Sequence, residues 1–252
     1  MAATGKNEWR DLFEPKTTGF PKAVFNDLES VKYLVTKNTC AVMLEPIQGE
    51  GGVNVGSQEF IRGVRELCDQ NNILLIFDEI QTGFDRTGSL FCYEQYNIEP
   101  DILTLGKGIG GGFPLSAMLT KDCLNIFEPG DQGGTYTGQP LAMAVGFAVL
   151  NELLANNIID HVKKMESLIQ QKLNGLAEHY EIENIRGKGL LLAFDITMTA
   201  GATFVQKCLA HNLLINSPQQ NTIRLMPPLI VSENDIDKMI RIFQENLKED
   251  LG

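Results

Sequence analysis

Two side chains in this sequence sit where apolar runs break off, and both are types that do chemistry. Lys107 follows the stretch Ile102–Leu105 and lies between Gly106 and Gly108, and Asp78 follows Ile73–Phe77. An exposed lysine needs no such setting, whereas flanking glycines let the backbone and a flat ligand approach closely. Burial also lowers a lysine's pKa and frees the neutral amine that condenses with a carbonyl. A carboxylate just past five apolar residues is costly unless paired or hydrogen-bonded. Set against a ring nitrogen, it would hold that nitrogen protonated and turn the ring into an electron sink. Taken singly, Gly-Lys-Gly reads as a surface turn and Asp78 as a helix cap or salt bridge. Taken together, the two have complementary tasks: one tunes a ring, the other carries its aldehyde.

Two phosphate-binding patterns fail at the same glycines. A G-x-x-x-x-G-K-[ST] loop would need Gly at Asp101 and a hydroxyl at Gly108. Gly106-x-Gly108-x-x-Gly111 fits a dinucleotide fingerprint, but the apolar run Leu115–Thr120 that follows reads as a strand where a helix is required.

The elements that must position these residues alternate. Asn26 or Asp27 caps a short helix running through Lys37. Thr39–Leu44, Ile73–Phe77 and Ile102–Leu105 read as buried strands, separated by an amphipathic helix over Ser57–Asn71 and a short helix over Ser89–Tyr96. The pattern predicts an α/β fold with a mainly parallel sheet and helices on both faces. In such sheets ligands bind beyond the carboxyl ends of strands, where Glu50, Asp78 and Lys107 all fall. Leu115–Thr120 is a further strand, and Leu141–Asn156, apolar on most sides, reads as a well-buried helix. Asn156-Asn157 marks a boundary, which predicts a partial large domain over 1–156 and a smaller C-terminal domain over 157–252. The second begins with a helix over Asp160–His179. Glu183–Ile196, Ala202–Asn212, Asn221–Leu229 and Ser232–Leu247 then read as strand, helix, strand, helix.

Composition narrows the function. The chain of 252 residues carries 21 basic and 32 acidic side chains, net −11, which disfavours nucleic acid or an anionic membrane as main partner. No apolar stretch is long enough to span a bilayer, and Met1–Phe13 lacks a signal-peptide core. Five scattered cysteines without a C-x-x-C pair read as free thiols of a reducing cytoplasm. His161, His179 and His211 fit no ligand spacing and read as surface residues, so no metal site is expected.

Four further stretches give the pattern a family. Glu45–Gly52 (EPIQGEGG), Phe77–Phe84 (FDEIQTGF) with Arg86-Thr87-Gly88, Leu103–Gly108 (LTLGKG) and Gly133–Pro140 (GGTYTGQP) resemble the class III pyridoxal-phosphate aminotransferases, in order and along most of the chain. The acetylornithine aminotransferases of arginine biosynthesis are the nearest pattern. The resemblance implies the fold-type I transferase fold, a C-terminal α+β domain, pyridoxal 5'-phosphate (PLP) as cofactor, and a homodimer with shared active sites. It implies that Lys107 holds the cofactor's aldehyde and moves the substrate proton, and that Asp78 keeps the pyridine nitrogen protonated. Gln81 would contact the ring's phenolic oxygen. Glu79 and Ile80 lie between them along the cofactor, Glu79 in a structural role. Thr135 would bind the phosphate of the neighbouring subunit's cofactor, with Gly134 near the substrate through its backbone. Arg224 would grip the α-carboxylate of glutamate, and Glu50 would pair with Arg224 when an ω-amine occupies the site. Relatives carry an N-terminal part with a phosphate-cupping glycine turn, a ring-stacking aromatic residue and a distal-carboxylate arginine. None is present, so the chain is expected to correspond to the C-terminal portion and to work poorly alone.

Overall fold

The structure is a computed structural model that describes residues 2–5, 9 and 12–249. A four-stranded sheet carries the first half of the chain. Its order is β1 (Ala41–Leu44), β4 (Leu74–Asp78), β5 (Ile102–Leu105) and β6 (Ala117–Thr120). The first three strands run parallel and β6 returns antiparallel, which puts the expected mainly parallel sheet in place with one reversed edge. Between β1 and β4 a small hairpin forms from β2 (Ile47–Gln48) and β3 (Asn54–Val55), too short to leave a periodic signal in the sequence.

Strand alternation decides which side of the sheet is core. Leu75 and Phe77 of β4 are buried while Leu74, Ile76 and Asp78 are half-buried. The buried face packs on α2 (Gln58–Asn71), whose apolar stripe Phe60, Ile61, Val64 and Leu67 recurs at helical spacing. Ser57 caps this helix by accepting the Phe60 N–H at 3.0 Å, and Asn72 ends it in the left-handed region. The shorter α1 (Leu28–Leu34) starts at Asp27, which accepts the Ser30 N–H at 3.0 Å. Residues 89–96, expected as a short α-helix, form a 3-10 turn over Cys92–Tyr96 only.

A second core lies in the C-terminal part. Here α4 (Ile158–Ala177), α5 (Gly201–Ala210) and α6 (Glu233–Glu249) cover a three-stranded antiparallel sheet of β7 (Ile182–Lys188), β8 (Leu191–Ile196) and β9 (Thr222–Leu225). The stretch 183–196, expected as one strand, is a hairpin folded at Gly189, which sits at φ +57 with its α-carbon against the Arg86–Gly88 backbone. No larger residue fits there. The two cores meet through Leu191 and Ala193, which face the first one.

One expectation fails outright. The helix α3 (Pro140–Ala155) was expected to be well buried, yet of its side chains only Ala142 is buried, with Leu141, Phe147 and Leu154 at 58%, 69% and 63% exposure. An all-round apolar helix shows that it needs covering, not that this chain covers it. All five cysteines are free.

Candidate active site

The site forms where β4 and β5 end. Asp78 closes β4 in register with Thr104 of β5, so the two side chains share the half-buried face. The Asp78 carboxylate accepts the Ile80 N–H at 3.0 Å, which leaves its second oxygen for another donor. The Thr104 hydroxyl beside it is buried without a hydrogen-bond partner. Two residues past β5, Lys107 opens a 3-10 turn over Lys107–Gly110 in the left-handed region, φ 46. The flanking glycines have a specific use: a Cβ at Gly106 would meet Ile80, and one at Gly108 would meet Phe84, each at 3.2 Å. They let the lysine turn lie directly on the segment after Asp78. Ile80 thus packs under the lysine loop. The Lys107 side chain itself is exposed, against the expected burial.

Glu79 points the other way, as alternation requires. It is 1% exposed and accepts the Cys92 and Tyr93 N–H groups at 2.6 and 2.8 Å and the Thr82 hydroxyl at 3.1 Å. Burial pushes its pKa up to about 7 against the pull of those hydrogen bonds. Its task is to anchor the 3-10 turn behind the site, and it does not reach the crevice.

A second group of residues gathers around Arg224 on β9. The guanidinium is 7% exposed, which rules out a loose surface ion pair. Nη1 donates to Glu50 at 2.8 Å and to Gln81 at 3.3 Å, and Nε donates to Asn216 at 3.2 Å. The loop bearing Glu50 presses against Gln81 so closely that a Cβ on Gly49 would overlap the Gln81 side-chain amide. Gln81 follows Asp78 by three residues and joins the segment after β4 to the Arg224 group.

Sequence reasoning missed three contributors. Glu45 accepts the Gly49 N–H at 3.3 Å; burial raises its pKa, Asp78 and Glu50 push it further, and Lys107 pulls it back. Those influences place Glu45 near Asp78, Glu50 and Lys107. Asn216 holds Arg224 from outside the motifs, and no local pattern announces it. Arg86 donates from Nη1 to the carbonyls of Leu190 at 3.0 Å and Pro227 at 2.6 Å, binding the loop after β4 to the C-terminal part. Burial lowers its pKa to about 10. Thr135 and Gly134 lie in an exposed loop, and the structure does not bring them to the crevice of this chain.

A pattern for the aminotransferase class-III family matches residues 1–247. The chain belongs to the class III aminotransferase family. It is 42% identical over 250 residues to the acetylornithine aminotransferase of Caldanaerobacter subterraneus, covering 99% of this chain and 64% of that protein. The acetylornithine aminotransferase of Ralstonia nicotianae is 46% identical, at 98% and 63%. Among solved structures, ornithine aminotransferase from Toxoplasma gondii superposes with a TM-score of 0.91 at 30% identity, covering 98% of this chain and 61% of that one. Acetylornithine aminotransferase from Elizabethkingia anophelis gives 0.83 at 34%, with 89% and 59%. The chain thus spans less than two thirds of the length of these relatives and corresponds to their C-terminal portion. The fold is that of the PLP-dependent transferases, and the family uses PLP. The donor set suits that group: an amine on a bent turn, a carboxylate with one oxygen uncommitted, and a side-chain amide on the segment after that carboxylate. Among the described residues, no group of three or more His, Cys, Asp or Glu could hold a metal ion, and no single helix is long and apolar enough to cross a membrane.

Proposed function

We propose that this protein serves the transfer of the δ-amino group of N-acetylornithine to 2-oxoglutarate, in arginine biosynthesis. The observation that carries the reading is the buried Arg224 guanidinium, shared by Glu50 and Gln81 at the mouth of the Asp78–Lys107 crevice. Arg224 offers the planar fork that a carboxylate needs, and Glu50 occupies it when the amino donor brings no α-carboxylate there. A site that accepts an ω-amine in one half-reaction and glutamate in the other needs such an exchangeable pair.

PLP, when bound, supplies an aldehyde and an electron-withdrawing ring. The chain's own residues do the rest. Lys107 would hold the cofactor through its amine and would be the base that moves the proton at the substrate carbon. Asp78 holds the ring nitrogen protonated through its uncommitted oxygen. Gln81 orients the phenolic oxygen, and Ile80 props the lysine turn. Thr135 binds the cofactor phosphate of a second copy, with Gly134 near its substrate, which makes the working unit a homodimer. We assign the enzyme to the cytoplasm, and residues 1–156 and 157–252 to separate large and small domains. Ornithine, 4-aminobutyrate and succinyl-diaminopimelate are the competing donors. The same surfaces in a non-catalytic chain are the second reading, favoured only by the exposure of Lys107.

Titration of the pure chain with PLP, followed by single turnovers, tests this. Bound PLP should give a visible absorbance band that Lys107→Ala abolishes, and N-acetylornithine should discharge it faster than ornithine or 4-aminobutyrate does. A faster response to 4-aminobutyrate overturns the donor assignment, and no band with any ligand overturns the catalytic reading. Steady-state turnover is expected to be poor, and vigorous turnover by the 252-residue chain would disprove that expectation.

A further inference from the structure

Arg224 is held along one edge by a residue that lies outside every motif. Asn216 stands in the segment between α5 and β9 and meets Arg224 twice. Its carbonyl accepts the Arg224 main-chain N–H at 2.9 Å, and its side-chain oxygen accepts from Nε at 3.2 Å. The first bond fixes where the residue stands, and so keeps the second within reach. The rest of the segment is tied down as well. The Gly201 N–H at the start of α5 donates to the Gln220 carbonyl at 2.9 Å, and the Gln219 side-chain amide donates to the Glu50 carbonyl at 3.3 Å. One short stretch, residues 216–220, thus holds both the guanidinium and the main chain of its carboxylate partner. The Glu50 side chain stays half exposed.

A guanidinium offers a carboxylate two forks, side-on through Nε with Nη2 and end-on through Nη1 with Nη2. Asn216 stands on Nε and closes the first. Glu50 stands on Nη1 at 2.8 Å, beside Gln81 at 3.3 Å, and closes the second. The two occupants differ in how readily they leave. Asn216 is neutral and pinned through its own main chain. Glu50 carries a charge that repels an arriving carboxylate and that water takes up when the side chain swings out.

We propose that Asn216 is a positioning residue that sets the direction of carboxylate binding: by occupying Nε it sends an incoming carboxylate to the Nη1–Nη2 fork, where the ligand must displace Glu50. Without it the side-on fork opens, ligand and Glu50 take different nitrogens, and the site no longer holds strictly one or the other. The inference rests on the Glu50–Arg224 exchange of the proposed function and names what makes that exchange obligatory.

A double-mutant cycle on the 252-residue chain tests it, with 2-oxoglutarate binding read by calorimetry and the fold by circular dichroism. Glu50→Gln should tighten binding at least fivefold in the otherwise unaltered chain, and less than twofold in the Asn216→Ala background. Asn216→Asp keeps the shape and closes Nε again, so in that background Glu50→Gln should regain at least fivefold, from a weaker baseline. A merely structural role for Asn216 would lower affinity and leave the Glu50 effect as it was. Tightening of twofold or more in folded Asn216→Ala therefore overturns the proposal, as does its absence in the Asn216→Asp background. Should Asn216→Ala fail to fold, Asn216→Ser, polar but too short to reach Nε, carries the same expectation. No tightening by Glu50→Gln in the otherwise unaltered chain would strike instead at the exchange itself, and so at the proposed function.

Discussion

Replacing Glu50 by glutamine should make the protein a better binder of 2-oxoglutarate. The carboxylate lies 2.8 Å from Arg224 Nη1, with side-chain exposures of 49% for Glu50 and 8% for Arg224. One partner is half in water and the other is not, so the pair falls between a surface and a buried ion pair, about 1–2 kcal/mol. A ligand carboxylate that takes the guanidinium must first displace Glu50 and forgoes that energy. Glutamine keeps the shape and removes the charge. Arg224 then retains Asn216 and Gln81 as neutral acceptors and stays folded in place. Tightening of about 5- to 30-fold follows from 1–2 kcal/mol. Calorimetric titration with 2-oxoglutarate on wild type and Glu50→Gln, at one ionic strength, measures it. Equal or weaker binding by a folded variant would refute the idea that Glu50 competes for Arg224.

Three other expectations follow from the same coordinates. Gly49→Ala should drive the Gln81 amide aside; PLP affinity drops about fivefold for one lost hydrogen bond while the melting temperature moves by only a few degrees, and absorbance titration beside a thermal melt checks both. Asp101 accepts from the Leu75 N–H, Lys121 and Arg65, each at 2.8 Å; burial alone would raise its pKa, but these partners bring it down to about 2, below the ordinary value of about 3.9. Its contribution, about 2 kcal/mol, is therefore complete above pH ~4 and lost as pH falls toward 2, so urea unfolding should show a smaller acid loss in Asp101→Asn than in wild type. Phe243, fully buried with its ring centroid 5.8 Å from Phe194 and 5.4 Å from Phe204, should cost about 3–5 kcal/mol when cut to alanine, read by urea unfolding of the C-terminal part.

How much of this could be read beforehand depended on the range of the interaction. Strand β4 was legible as a short unbroken apolar run, and helix α2 because its apolar residues recur at a period of 3.6. Asp78 and Lys107 were legible because each breaks such a run. The Glu50–Arg224 contact joins residues 174 apart in sequence, so only the motif resemblance suggested it. Asn216 and Glu45 act through partners that no local spacing encodes. The β7–β8 hairpin was read as one strand because its turn is only Gly189-Leu190, with an apolar run directly after it. For α3, periodicity reported hydrophobicity correctly, and the error lay in assuming that a cover must come from within the same 252 residues.

The fork of Arg86 sets a length. By holding the carbonyls of Leu190 and Pro227, it ties the loop that carries Gln81, just past Asp78, to the sheet that carries Arg224. The span between Gln81 and the Arg224 guanidinium is then held from two sides, by their own hydrogen bond and by the Arg86 clamp.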